Sequence, residues 1–382
     1  MGHVSLRSRG LALLAAAVIA LVAFPALPAH AAIGCGDTLA TNSEVVTLTG
    51  NLVCSGPGLV VTADNVTIDL GGYTMRGDLS VVAVGIDVTG DDVTIVNGTV
   101  RDFDKNIVIS HGEGGRVTDI DTRGGEAGII ALHADRTTIE RVSSRGHGEG
   151  ALVATASNGV SITDAEVRGP GHCVLVINSF GTNILRANLR DCSAGVYTTG
   201  SNGTVIRDSR VSWSWVGVLS EDSTKTQVLG STIRRNDDGV HYTGISDGGF
   251  VRGNRVVRNT TGVRIDGASS NPTGPVFVTD NTIHKNGAAG ILVDVVAAGL
   301  DLQIHGNRVN ANGHARSGIS NSLGDIVNDG IHVVDSVSSV TIGDNSANRN
   351  FDYGVEADGA TDGGGNSARG NGNPAQCLGV SC

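Results

Sequence analysis

His241, Arg264 and His332 are the side chains in this 382-residue chain best suited to chemistry, because each fills the same place in a recurring four-residue unit. The units read Gly239-Val240-His241-Tyr242, Gly262-Val263-Arg264-Ile265 and Gly330-Ile331-His332-Val333. Carboxylates stand two residues beyond that place at Glu221, Asp266 and Asp294, with Thr243 interrupting the series, and Lys285 lies between two units. Tyr197 and Leu219 fill the same place just upstream and add a ring and an apolar surface. A guanidinium beside an imidazole and a carboxylate can bind an anionic sugar, neutralise it and exchange a proton near neutral pH. The candidate catalytic set is therefore His241, Arg264, Asp266, His332 and Lys285, and the candidate substrate-binding set is Tyr197, Leu219, Glu221 and Asp294. The plainer reading is a solvated charge ladder in which Arg264 pairs with Asp266, worth at most about 1 kcal/mol.

What must position these residues is a repeat. Copies of the unit begin at Gly85, Asn106, Gly128, Gly150, His172, Gly195, Gly217, Gly239, Gly262, Gly290, Gly330 and Gly354. The steps are about 22 residues up to Gly262, and two later steps are longer. Each copy alternates apolar and variable residues, as a short strand with two faces does. One strand per fixed period, with no helical stripe between, predicts an all-β solenoid of about 12–13 coils over residues 58–366. If the second and fourth residues of each unit point inward, Ile86, Ile107, Ile129, Val196, Val218, Val240, Val263, Ile291 and Ile331 form the core. The third residues then form an outward series: Asp87, Val108, Ile130, Leu152, Val174, Tyr197, Leu219, His241, Arg264, Leu292, His332 and Glu356. The run Val108 to Leu219 is an apolar stripe, either covered by its own turns or a surface for a protein or glycan partner. Paired asparagines, Asn254/Asn259, Asn281/Asn286, Asn307/Asn312 and Asn345/Asn350, recur at the turns, where they can hydrogen-bond between coils. That pattern lapses at His147, Gly169, Cys192 and Ser214, which predicts looser turns in the middle coils.

The composition agrees with this architecture. Glycine is abundant at 56 residues and aromatics make up only 3%, which suits tight corners around a narrow interior. Forty per cent hydrophobic residues is too many for disorder, and there is no Gly-X-Y period. Residues 1–31 read as a signal peptide, with Arg7 and Arg9, an apolar run from Leu11 to Phe24 and Ala29-His30-Ala31 as the cleavage site. Removing those two arginines takes the net charge from −11 to −13, that is −11 − 2. An acidic chain with no basic cluster along its sequence disfavours nucleic acid and anionic lipid as partners. No later stretch is long and apolar enough to span a membrane, so the mature chain is expected to be secreted. Export permits disulfides, and the expected pairs are Cys35–Cys54 in an N-terminal cap, 32–57, and Cys377–Cys382 in a C-terminal cap, 367–382. Cys173 and Cys192 read as small buried fillers, and no Cys/His spacing matches a zinc site, so no metal ligand is assigned.

The first coil carries the resemblance. Its segment Val66-Thr67-Ile68-Asp69-Leu70-Gly71-Gly72-Tyr73-Thr74-Met75-Arg76-Gly77, after a Cys-Gly…Cys start, resembles the opening of secreted right-handed parallel β-helix proteins of the pectate-lyase-like superfamily, including NosD-type periplasmic copper-binding-like repeats. The resemblance covers roughly residues 33–382 and implies the fold. It also implies that an activity, if present, lies on the outward face that carries His241 and Arg264. No specific enzyme motif is complete. Gly146-His147-Gly148 and Asp237-Asp238 are similar to galacturonase elements but stand in the wrong order and about four coils apart, roughly 20 Å. Glu221, Asp266, Asp294 and Arg264 form an imperfect version of a calcium pectate-lyase set, so Ca2+ is the one cation the resemblance admits. His111 and His133 should stack one coil apart without a third ligand.

Two functions follow. One is an exported protein that binds or processes an acidic extracellular polysaccharide, as a lyase or epimerase. The other is a non-catalytic rod presenting a binding face to protein or glycan. The insertion at 313–329, on the coils of the polar patch, favours the first by offering a wall for a site.

Overall fold

The computed structural model describes residues 33–246, 248–266, 274–294, 301–334 and 339–382. The expected leader, 1–31, lies outside them. Residues 32–382 form one compact unit. Most coils contribute three short strands, as at Ala194–Thr199, Val205–Arg207 and Arg210–Ser212, and in two coils the second and third are continuous, as Thr94–Arg101 and Arg116–Arg123. Strands of successive coils pair in parallel, giving a first sheet of 15 strands and two further ladders joined as one sheet. The architecture is a right-handed parallel β-helix, the hand that right-twisted parallel crossovers take. The coil count exceeds 12–13 because the terminal segments also build coils. Thr38–Leu39 pairs with Leu59–Val61, and Cys377–Leu378 pairs with Val355–Glu356.

The inward residues stack into one continuous core. All nine expected positions, from Ile86 to Ile331, are fully buried. The register departs from expectation in two coils. Leu152 pairs with Ile129 and Val174, so Leu152 and Val174 face the core, and Val153 and Leu175 take the outward places. The small residue that opens those units is Ala151 and Cys173, not Gly150 and His172. In most other coils, Asn106 excepted, that position is glycine. A Cβ on Gly239 would lie 2.4 Å from the Gly262 carbonyl oxygen and 2.9 Å from Asn259 Nδ2.

Three columns of polar side chains satisfy the corners. The Asn236 N–H donates to Asn259 Oδ1 at 2.9 Å, and the chain continues through Asn286, Asn312, Asn350 and Asn371 to Gln376 Oε1. A parallel column runs from Asn254 through Asn281, Asn307 and Asn345 to Asn366. A third column, of serines, runs along a different corner: the Ser157 N–H donates to Ser179 Oγ, and Ser179, Ser201 and Ser223 each repeat this towards the next coil. At the corner of Asn236 the Cys192 N–H donates to Ser214 Oγ at 3.4 Å and the Ser214 N–H to Asn236 Oδ1 at 2.9 Å, so a hydroxyl continues that column up to Cys192.

Cys35–Cys54 and Cys377–Cys382 are bonded as expected. Cys173 and Cys192 are also bonded, with Cα atoms 5.7 Å apart, and are not free fillers. Cys173 holds the glycine position and Cys192 the asparagine position of the next corner, the two places that approach most closely. Cys192 is released from the asparagine's task because the residue one coil earlier, two beyond the paired Arg168 and Arg190, is Pro170, which has no N–H to satisfy.

Candidate functional site

The first sheet turns His241 and Arg264 outward on adjacent coils as direct register partners. His241 Nε2 lies 2.9 Å from Asp266 Oδ1, and Arg264 Nε lies 2.9 Å from Asp266 Oδ2. Asp238 completes the cluster from the strand carrying His241, 3.6 Å from His241 Nδ1 and 3.9 Å from Arg264. Burial opposes the charge on Asp266, but the His241 hydrogen bond and charge, Thr243 and Arg264 hold its carboxyl below the usual range. The Asp266 bond fixes the imidazole: with Nε2–H donating to that carboxylate, Nδ1 is turned towards Asp238 Oδ2 at 3.6 Å, beyond hydrogen-bond distance.

Tyr197 and Leu219 continue the outward column above His241, paired Tyr197 to Leu219 and Leu219 to His241. Tyr197 donates its hydroxyl to Glu221, and its ring centroid lies 5.1 Å from that of His172. Burial, then the Glu221 bond, raises the Tyr197 phenol above its ordinary value. The face therefore offers a ring, an apolar step and an ion cluster over four coils. Further up, Val108, Val153 and Leu175 are each less than a tenth exposed and Ile130 is half-buried, so this part of the apolar stripe offers little free area to a protein partner.

The remaining candidates part from this patch. His332 is three coils below His241 in the same column, roughly 14 Å, and 3% exposed. The insertion does not stand up as a wall; its Val327 and Ile319 fold onto Ala288, Ala289 and Leu292 as a small second core. Asn321 Nδ2 lies 3.1 Å from His332 Nε2, and Asp294 Oδ1 accepts from the Ser322 N–H and hydroxyl, so both candidates are held by the loop. His332 Nδ1 faces Asp329 and Glu356, each at 2.9 Å. Burial opposes its charge, but these two carboxylates raise it to about 9. Asp329, His332 and Glu356 converge closely enough to hold a cation. Lys285 lies in the turn after Thr282–His284, on a different side of the coil from His241. The sequence shows Asp238 only as half of the Asp237-Asp238 pair and not as a neighbour of His241, because it precedes the four-residue unit; Asp329 holds the same place before Ile331. His111 and His133 do stack, with centroids 5.3 Å apart.

Comparison with known proteins agrees with this geometry at the level of the fold. The profile "Right handed beta helix region" matches residues 172–372, more than half of the chain. The chain belongs to the right-handed β-helix family. The profile "Periplasmic copper-binding protein (NosD)" matches residues 65–226. Among solved structures, a periplasmic alginate epimerase is 14% identical, with TM-score 0.47 over 86% of this chain and 77% of its own. A tailspike protein of an E. coli bacteriophage, in complex with a pentasaccharide, is 11% identical, with TM-score 0.49 over 91% and 73%. The A-module of an Azotobacter vinelandii mannuronan C-5 epimerase is 15% identical, with TM-score 0.38 over 91% and 88%. These likenesses are of fold alone. No curated protein gives a significant match.

Proposed function

We propose that this β-helix is an exported protein that binds or processes an acidic polysaccharide on the face formed by Tyr197, Leu219, His241 and Arg264. The observation that carries the reading is the fixed imidazole between two carboxylates with a guanidinium one coil away. Arg264 would hold the sugar carboxylate, while Tyr197 and Leu219 would lie against the ring faces. His241 Nδ1, unprotonated when Nε2–H is given to Asp266, would accept the proton from the carbon beside that carboxylate. Return of a proton from water to the opposite face would give an epimer; departure of the neighbouring glycosidic oxygen, protonated by the His241 that took the first proton, would give an unsaturated product. Three disulfides with no free cysteine support export.

A second reading, a non-catalytic binding rod, is favoured by one observation: Arg264 is already engaged by Asp266 and faces Asp238. A panel of acidic and neutral polysaccharides, scored separately for binding and for ultraviolet-absorbing unsaturated products, tests both. The catalytic reading expects His241→Ala to abolish product while sparing binding. Binding without product or epimerisation in the unaltered protein selects the rod. No binding to any acidic polysaccharide rejects both.

A further inference from the structure

The third ladder carries a column of arginines that the 22-residue spacing disperses along the sequence. Arg76, Arg101, Arg123, Arg145, Arg168 and Arg190 are successive register partners. In these upper coils carboxylates answer them: Arg76 and Arg101 meet Asp102, Arg123 meets Asp121, Arg168 meets Asp191 and Arg190 faces Glu166.

Below Arg190 the pairing stops. Arg210, Arg234, Arg235, Arg255, Arg258 and Lys285 cover the same side over about four coils, or some 15 Å. None of the six lies within ion-pair distance of a carboxylate among the described residues, whereas neighbouring Arg252 is paired with Asp280 at 3.1 Å. Asp208 and Asp237 are the acids that flank them in sequence. The imidazole of His284, in this column, is held below its ordinary value by burial and then by the charges of Arg255, Lys285 and Arg258, which reports a positive field in a chain of net charge −11.

Both tryptophans of the chain sit at the edge of this surface, in one turn. Trp213 is 54% and Trp215 70% exposed. The Arg235 guanidinium lies 4.6 Å from the Trp213 ring centroid. Trp213 occupies a left-handed corner, φ +60°, that the next coils repeat at Arg235, Arg258 and Lys285, with φ of 59°, 59° and 58°, so one corner of successive coils carries the tryptophan and three of the basic residues. Open aromatic faces beside unpaired guanidiniums have a matching ligand: pyranose rings stack on indoles, and carboxylate or sulfate groups take paired N–H donors from arginine. An open groove of about 560 Å³, bounded by His284, Lys285, Arg349 and Arg369, extends the same side downward.

We infer that the third-ladder side around Trp213, Trp215, Arg234 and Arg255 is a docking surface for an acidic polysaccharide, separate from the His241 face. The inference does not rest on the function proposed for that face. Single-stranded nucleic acid shares the need for stacking and positive charge, but an exported chain favours the glycan, and the test separates them.

The test measures binding of the full chain, without its leader, to heparin, alginate, polygalacturonate, dextran and an oligo-thymidine. The unaltered protein should bind at least one of the three acidic polysaccharides more tightly than dextran and the oligonucleotide, and added salt should weaken it. Trp213→Ala with Trp215→Ala, and separately Arg234→Ser with Arg255→Ser, should each raise Kd about tenfold or more. Arg136→Ser, at an exposed arginine paired with Glu113 in the turn before Thr138–Glu140 and away from both surfaces, should retain this binding. Melting curves and far-ultraviolet circular dichroism check that each variant is folded, and the exposed pair Arg255→Ser and Arg258→Ser serves if Arg234 proves structural. Unchanged Kd in folded tryptophan and arginine variants, equal or tighter binding of the oligonucleotide, or no binding to any acidic polysaccharide overturns the assignment.

Discussion

His241 and Asp266 are joined across adjacent coils by a 2.9 Å hydrogen bond whose other carboxylate oxygen holds Arg264. One carboxylate thus fixes both the imidazole and the guanidinium of the patch. Asp266→Asn removes the charge they share, so it should lower affinity for an acidic ligand less than Arg264→Ala does, yet abolish any proton exchange by His241. A double-mutant cycle between positions 241 and 266 should give about 1 kcal/mol of coupling in stability. Because the folded pKa of Asp266 is depressed, that coupling is present above its ordinary value and fades as pH falls through the lower one. Coupling indistinguishable from zero at neutral pH would mean that the pair does not hold in solution.

The cluster under the insertion responds to pH in the opposite sense. His332 is raised to about 9 by Asp329 and Glu356 despite its burial. A group raised in the fold contributes fully below its ordinary value, near 6.5, and loses that contribution as pH climbs through 9. That contribution is up to about 3 kcal/mol, at 1.36 kcal/mol per unit, and is offset in part by Asp329, whose carboxyl burial raises to about 6. Limited proteolysis or hydrogen exchange across residues 313–329 should therefore quicken between neutral pH and pH of about 9, and His332→Gln should be open throughout. Exchange independent of pH in the unaltered protein would contradict the charged state of His332.

The corner at Asn286 tests the polar columns. Its Oδ1 accepts the Asn259 N–H at 2.9 Å and the Asn259 side-chain amide at 3.2 Å. Asn286→Ala leaves a buried N–H and amide without an acceptor and should cost about 2–4 kcal/mol, read from denaturant melts. Asn286→Ser should recover part of the loss, as serine serves the same role at Ser179 and Ser201. Equal stability of all three proteins would show the column to be incidental.

Gly239→Ala places a methyl group 2.4 Å from the Gly262 carbonyl oxygen. The coils must move apart locally, at a cost of about 2–3 kcal/mol. By contrast, removing the Cys173–Cys192 bridge with two alanines should cost about 3 kcal/mol through the 19-residue loop that it closes. Asparagine at 192 should do no better than alanine there, because Pro170 gives it no N–H; a clear gain from asparagine would show that this corner is bonded in some other way.

The fold was legible because its period and alternation act together: a 22-residue step with inward Val240, Val263 and Ile291 admits one arrangement. The register failed where the small opening residue was ambiguous, since Gly150 and His172 stand one place before Ala151 and Cys173. His241, Arg264 and Asp266 were found together because one register places them on one face. The burial of His332 was not legible, because the covering segment 313–329 follows no period. The Cys173–Cys192 pair repeats the 19-residue separation of Cys35–Cys54, the signal that could have revealed it. The basic side was invisible to a search for charge runs and required the third ladder to be indexed coil by coil.

The asparagine column has a direction. Each corner N–H is satisfied by the side chain of the following coil, never by its own, until Gln376 receives the last from Asn371. A chain synthesised from its N-terminus therefore always ends, while growing, in a corner whose partner has not yet been made. Residue 376 is where this column ends, so cutting the chain just before it leaves the Asn371 N–H without its acceptor and should loosen the last coils first, whereas removing coils from the other end leaves each remaining corner of the column served.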